Sequence, residues 1–198
     1  PVQLDGIACW YEGDSLIPMP EEIRRRVYEE SGFDFSGSIC ADAKLDDLDE
    51  EAIEDFRSRW MEKSGNKRLI SLSAEQLLCD CEAVTDEGVT YAALILFGKK
   101  EALRKHLPQA EVIFEYRSSE ASGPASQREE LRTGFFSYYD RLWELINLRN
   151  DNQHYQEGFF IYDIPTFNER VVREAVLNAV SHRNYQMGGS VFVRQYQD

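Results

Sequence analysis

The feature that most constrains the fold is a run near the C-terminal end in which Val172, Ala175, Val176, Ala179 and Val180 recur at i, i+3, i+4, i+7 and i+8. That is the spacing of one face of an α-helix. Thr166-Phe-Asn-Glu169 precedes it as a capping-box pattern, the arrangement that satisfies the orphan amides of a first helical turn. After Gly188-Gly189, the stretch Val191-Phe-Val-Arg-Gln-Tyr-Gln-Asp198 alternates like a strand. A helix that leads directly into a strand calls for a mixed architecture.

The rest of the chain repeats that mixture. Asp49 is placed to N-cap a helix carrying Ile53, Phe56 and Trp60, and Ser73-Ala-Glu-Gln76 is a capping box opening a short helix around Leu77 and Leu78. Thr85-Asp-Glu-Gly88 is turn-like. Val89 to Phe97 is nearly all apolar, and periodicity alone leaves it helix or strand; Ala92, Ala93 and Leu94 favour helix, ended by Gly98. Pro108 breaks the basic stretch that follows, and Glu111 to Arg117 reads as a strand. Leu131, Phe135, Tyr138, Leu142, Leu145 and Ile146 mark one stripe of a long helix, with Gly134 as a minor defect. Phe159 to Ile164 reads as a strand stopped by Pro165. The expected class is therefore α+β, a small helical module with a strand followed by a helix–strand–helix–strand segment.

Charge narrows the function classes. There are 22 Lys+Arg against 36 Asp+Glu, a net charge of −14, which argues against nonspecific nucleic-acid binding by the chain as a whole, because that affinity comes from neutralising phosphates. The acidity concentrates in residues 1–60, which hold 16 acids and 6 bases. The run Asp46 to Asp55 reads as the solvated face of a helix, with its first acids suited to the helix dipole. Arg24-Arg-Arg26 lies among Glu21, Glu22, Glu29 and Glu30 and reads as a salt-bridged face.

Cys9, Cys40, Cys79 and Cys81 supply a C-x-C pair without the second pair that a zinc site needs, so they read as reduced thiols. Neither a signal peptide nor an apolar run of membrane-spanning length is present in the sequence, which gives the expectation of a cytoplasmic protein without membrane contact. His106 and His154 have no nucleophile, metal or carboxylate pattern beside them in sequence and read as surface residues. The abrupt start without Met and the unclosed final strand suggest a piece of a longer protein. Ser118 to Gln127, rich in Ser with Gly123 and Pro124, is the best internal boundary by composition.

On the 166–182 helix, Glu174, Asn178, Ser181 and His182 form a polar stripe away from the apolar one. A polar stripe ordinarily faces solvent. Here it is embedded in Arg173-Glu174-Ala-Val-Leu-Asn178-Ala179-Val-Ser-His182-Arg183-Asn184-Tyr185. This stretch resembles the N-box helix of the GHKL ATPase superfamily, with its short pattern E-x-x-x-N-A. More closely, it resembles the RecG-related C-terminal ATPase domain of bacterial transcriptional regulators, in which R-E-A-x-x-N-A-x-x-H-R-[DN]-Y is followed by a Gly and a strand.

The resemblance implies an ATP site in which Asn178 brings its amide oxygen to a magnesium ion. It implies that Glu174, one turn earlier, orients or deprotonates the attacking water in members that hydrolyse ATP. His182 and Arg183 would serve either architecture or phosphate contact. Thr90 to Lys99 with Leu107-Pro108-Gln-Ala110 resembles the T-x-A-x-L-L-x-F-G-K segment that precedes the ATPase domain in the same regulators, and Leu48 to Ala52 resembles the start of that connecting module. Trp10 to Ser15 and Met19 to Ile23 resemble the end of the Schlafen- or Alba-type domain, once labelled divergent AAA, which is taken to bind nucleic acid. Tyr11-Glu12 stand where that family shows a basic residue before the Gly.

The implied division is 1–45 as the tail of a DNA-binding domain, 46–125 as a connecting α/β module, and 126–198 as the start of a truncated GHKL-like two-layer sandwich. The D-x-G-x-G adenine turn and Gly-rich lid of such a pocket are not in the sequence, and Gly98-Lys99-Lys100 lacks the Walker pattern. Three functions follow in order: an ATP-binding transcriptional regulator, inactive as this piece alone; an interaction or homo-oligomerisation module in which the helix is structural only; and an ATPase or helicase accessory, for which no helicase motif is present.

Overall fold

A computed structural model of the chain describes residues 2–4, 7–12, 15–20, 22–23, 35–118 and 123–197. The chain divides after Asp34 into two compact units. The first contains an antiparallel meander of β1 (Val2–Leu4), β2 (Ile7–Glu12) and β3 (Ser15–Pro18). Arg24 to Arg26 lie outside the described residues.

The second unit, Phe35–Asp198, is α+β. Its helices are α1 (Glu50–Ser64), α2 (Ala74–Asp80), α3 (Tyr91–Phe97), α4 (Lys100–His106), α5 (Phe135–Asn147) and α6 (Glu169–Ser181). Its strands are a short hairpin β4 (Val84–Thr85) and β5 (Gly88–Val89), then β6 (Val112–Arg117), β7 (Gln127–Leu131), a hairpin of β8 (Asn152–Glu157) and β9 (Phe160–Pro165), and β10 (Val191–Tyr196). β6 is the centre of a three-stranded sheet, antiparallel to β7 and parallel to β10.

Local chemistry sets most of these ends. Asp49 accepts from the Glu51 amide to cap α1, and Gly65, at φ 67°, stops it in a left-handed turn. The capping box of Ser73 and Gln76 opens α2. Thr90 caps α3 through the Ala93 amide, so Val89 belongs to β5 and the helix begins at Tyr91. Gly98 ends α3 with φ −63°, outside the left-handed region. Its lack of a Cβ matters for another reason: a Cβ there would come within 2.5 Å of the Leu94 carbonyl oxygen.

Packing joins the residues on either side of 45 and of 125. Cys40 donates its amide to Val89 and Tyr91 to Ser38, and Phe35 stacks on Tyr91 with centroids 4.4 Å apart, so residues from Phe35 onward belong to the second unit. Phe97 of α3 stacks on Phe136 of α5 with centroids 5.4 Å apart, and Phe56 of α1 meets both rings. The regions on either side of residue 125 thus share one core.

Two sequence readings change around residues 127–135. Leu131 ends strand β7 instead of starting a helix, and Gly134 is the N-cap of α5 instead of a defect within it. Gly134 donates its amide to the Gly98 carbonyl, and a Cβ on it would lie 2.6 Å from the Leu96 oxygen and the Phe97 and Gly98 nitrogens. Only glycine allows α5 to start against the end of α3.

The sheet has two different faces, as the alternation of a strand requires. Val112 and Phe114 of β6, with Val191 and Val193 of β10, join the core beside the helices. Gln195 on that inner face donates to the carbonyls of Ile146 and Arg149, satisfying the end of α5. On the opposite face Glu115 is almost wholly buried yet ionised, receiving hydrogen bonds from Arg194 on β10, Arg117 on its own strand and Arg128 on β7. The bond from Arg194 leads the effects holding its carboxyl below the ordinary glutamate value, burial opposing it.

Candidate functional site

α6 carries Glu174 and Asn178 of the expected nucleotide contact, His182 is its C-cap and Arg183 follows it, and its start differs in detail from the sequence pattern. Asn168, not Thr166, is the cap, accepting from the Arg170 and Val171 amides. Thr166 turns its hydroxyl to the Asp151 carbonyl at 2.9 Å, closing the base of the β8–β9 hairpin. Asn150 exchanges two 2.8 Å hydrogen bonds with the Phe167 backbone, and the Tyr139 hydroxyl of α5 donates to the Glu169 carbonyl. The first turn is thereby fixed to α5 and to the loop before β8.

The far end is held by the second half of the R-E-A…H-R-N-Y stretch. The Arg183 guanidinium donates to the carbonyls of Gln109, Gly189 and Met187 and lies over the Tyr185 ring, its centre 5.1 Å from the ring centroid. Burial lowers its pKa from the ordinary arginine value. Tyr185 is buried and donates its hydroxyl to the Val180 carbonyl at 2.8 Å, while Gln109 donates back to the Tyr185 carbonyl. Gly189 adopts φ +103°, a conformation that favours glycine, and places its carbonyl under Arg183 at 2.6 Å. Arg183, Tyr185 and Gly189 therefore clasp the α6–β10 turn to the segment entering β6. Of the two roles open to Arg183, these are architectural contacts.

Between its fixed ends, α6 buries Val176 and Val180 and half-buries Val172, Arg173 and Leu177. Ala175 and Ala179, expected on the apolar stripe, are exposed. They lie beside Glu174 and Asn178, and at 100° per residue Val171, Glu174, Ala175, Asn178 and His182 share one open arc. Ser181, exposed on the same stripe, donates its hydroxyl to the Leu177 carbonyl of its own helix at 2.6 Å. His182 is exposed and ends the helix, its amide bonded to the Asn178 carbonyl. Among the described residues, the side chains of Glu174 and Asn178 have no hydrogen-bond or ion-pair partner.

The geometry can present one carboxylate and one carboxamide a single turn apart, flanked by alanines small enough for a bulky ligand to approach the backbone. An Asn oxygen suits magnesium, which keeps several waters and takes few protein ligands. Among the described residues no group of three His, Cys, Asp or Glu is placed to hold a metal by itself. The cavity under α6, bounded by Tyr138, Val180, Tyr185 and Arg183, is about 10 Å³, the size of one water. A larger cleft of about 470 Å³ is lined by Gly37, Ser38, Ile39, Thr85, Asp86 and Glu87. It has no α6 residue in its walls, and its two acids repel phosphate. Any nucleotide contact by α6 would be made on its open face.

Of the two histidines read as surface residues, His154 lies on the surface as expected and His106 does not. The His106 side chain is buried with Nε2 3.8 Å from an Asp47 oxygen, and His154, exposed, pairs with Asp163 at 2.6 Å. The carboxylates come from distant or cross-strand positions, which sequence adjacency does not reveal. Tyr185, Gln109 and Asn150 act as positioning residues through contacts that no local sequence pattern reveals, although Tyr185 closes the motif itself.

Residues 24–113 are similar to a family described as a domain of unknown function, DUF8451. No curated protein matches. The chain is similar to the crystal structure of the DIP2311 protein from Corynebacterium diphtheriae, with 24% sequence identity and a TM-score of 0.65 over 97% of this chain and 37% of that one. The likeness is one of fold, and the chain spans little more than a third of that neighbour's length. No helix among the described residues is long and apolar enough to cross a membrane.

Proposed function

We propose that the chain is the connecting and ATPase-entry portion of a bacterial, cytoplasmic transcriptional regulator whose nucleotide state is read through α6. The supporting observation is the open Glu174–Asn178 pair on a helix fixed at both ends. A helix held this firmly can keep a ligand contact in register, because its face is set by the Asn168 cap at one end and the Arg183 clasp at the other.

In this reading Asn178 offers its amide oxygen toward Mg-ATP, and Glu174 holds a water by hydrogen bond and takes its proton if hydrolysis occurs. Magnesium would supply charge neutralisation at the phosphates. His182 stands at the exposed end of the same arc, where an imidazole can reach a phosphate oxygen. DNA contact is assigned to the domain of which residues 1–45 would form the tail, consistent with the acidity of this chain.

The test is a Mg-ATP titration of a longer protein carrying this chain, beside the same protein with Asn178→Ala. Saturable binding weakened at least about tenfold, or about 1.4 kcal/mol, supports the site. Equal binding by both proteins removes Asn178 from it, and no binding by either moves the reading to an interaction module.

A further inference from the structure

The β8–β9 hairpin has a one-sided pattern that no core accounts for. Its register pairs Gln153 with Ile164, Tyr155 with Tyr162, and Glu157 with Phe160, which places these residues on one face. The other face pairs Asn152 with Pro165, His154 with Asp163, and Gln156 with Ile161, and it is tied by the His154–Asp163 contact. The first face is apolar but uncovered: Phe160 is 69% exposed, Tyr155 56%, Ile164 51% and Tyr162 48%, with Phe159 fully exposed at the tip. Among the described residues, none of β8 or β9 belongs to the core cluster. An isolated two-stranded ribbon is marginally stable in water, and contiguous exposed apolar patches mark interaction sites.

We infer that this face is a homodimer interface, the hairpin of one chain packing face to face on that of a second copy. Charge decides among occupants. Residues 150–169 contain no Lys or Arg, whereas Asp151, Glu157, Asp163 and Glu169 fall within them, so phosphate-rich partners such as DNA or anionic lipid are disfavoured. A second copy carries the same −14 charge, and self-association needs a contact face with few like charges. The apolar face supplies this, since Gln153, Tyr155, Phe160, Tyr162 and Ile164 on it carry no charge.

The area is also sufficient. Counting Phe159 at the tip with the four residues of the face, and taking roughly 150–250 Å² for each large side chain, the exposed fractions amount to on the order of 600 Å² per copy, at the lower end of specific interfaces, which bury roughly 800 Å² per partner. Two such faces related by a twofold axis form a four-stranded sandwich, with sheets about 10 Å apart, in which each ribbon covers the other. The base of each ribbon is closed by the two hydrogen bonds from Thr166 to the Asp151 carbonyl. This contact is independent of the nucleotide reading, since it uses none of the α6 residues.

Sedimentation equilibrium of the chain across about 1 µM to about 1 mM tests it. The expected result is a weight-average mass rising from 22.9 kDa toward twice that value. Phe160→Ser/Tyr162→Ser, and separately Tyr155→Ser, should remain at the single-chain mass with unchanged far-UV circular dichroism. Ile70→Ser, an exposed apolar position on another element, should behave as the parent does. A parent chain monomeric throughout the range overturns the proposal, as does a dimer that survives all the hairpin substitutions. A monomer whose tyrosine fluorescence responds to zwitterionic vesicles would assign the face to lipid and likewise overturn it.

Discussion

α5 and α6 are each thirteen residues long and contribute to one core, yet they use their surfaces differently. α5 buries Phe135, Tyr138, Tyr139, Leu142, Leu145 and Ile146, and its remaining polar side chains form ion pairs such as Arg141–Glu129 and Asp140–Arg59. α6 buries Val176 and Val180 and leaves Val171, Glu174, Ala175, Asn178, Ala179 and His182 open. A framework helix gains from every covered position, at about 1.5–3 kcal/mol per large apolar side chain. A helix that forgoes this on half its surface, while both its ends are tightly fixed, has the form of a presenting element.

The largest expected effect strikes the seam the two helices share. Burial pushes the Tyr138 hydroxyl well above its ordinary value and raises those of Tyr139 and Tyr185 up to about 12. The folded state favours the neutral phenol, so this contribution is complete below the unfolded value of 10.0 and is lost as pH rises from there toward 12. Phenolate absorbance and helical circular dichroism, followed together, should change in the same alkaline window. Tyrosines ionising freely near pH 10 while the helices persist would break the shared-seam picture.

Next in size is Leu142→Ala, which empties a fully buried position on α5 and should cost about 2–5 kcal/mol in urea unfolding. On α6 the exposed Val171→Ala should stay within about 0.5 kcal/mol; comparable losses at the two sites would erase the distinction. Gly134→Ala should cost about 1–3 kcal/mol, because its Cβ meets backbone that has to move. Tyr185→Phe removes the hydroxyl on the Val180 carbonyl and should cost about 1 kcal/mol, with faster hydrogen exchange confined to the last turn of α6.

Sequence periodicity located the buried stripe of α5, the alternation of β10 and the caps at Asp49 and Ser73, because each depends on neighbours within one or two turns. β7, with sequence Gln-Arg-Glu-Glu-Leu, and β8, with Asn-Gln-His-Tyr-Gln-Glu, carry no apolar alternation, because one uses cross-strand ion pairs and the other an uncovered face. Gly134 is understood only beside Phe97 and Gly98, which lie distant in sequence. In the candidate site, the Glu174–Asn178 spacing was readable from the helix period. The exposure of Ala175 and Ala179 was not, because residues at the margin of an apolar stripe are assigned by which neighbour covers them. The clasp of Arg183 on Gln109 is equally non-local.

The smallest effect on stability is the sharpest test of what α6 presents. Glu174→Ala and Asn178→Ala remove exposed side chains without partners among the described residues, and alanine has the higher helix propensity, so unfolding should shift by no more than about 0.5 kcal/mol. A loss of stability beyond about 1 kcal/mol in either variant would mean that the side chain is engaged with the fold itself. If both variants remain as stable as the parent, a loss of nucleotide binding in a longer protein carrying Asn178→Ala reports the open face directly. Preserved binding but lost turnover in Glu174→Ala would separate a water-positioning carboxylate from a binding amide. α5 offers no such variant at its buried positions, where substitutions that matter alter folding, so the pair on α6 is where stability and function come apart.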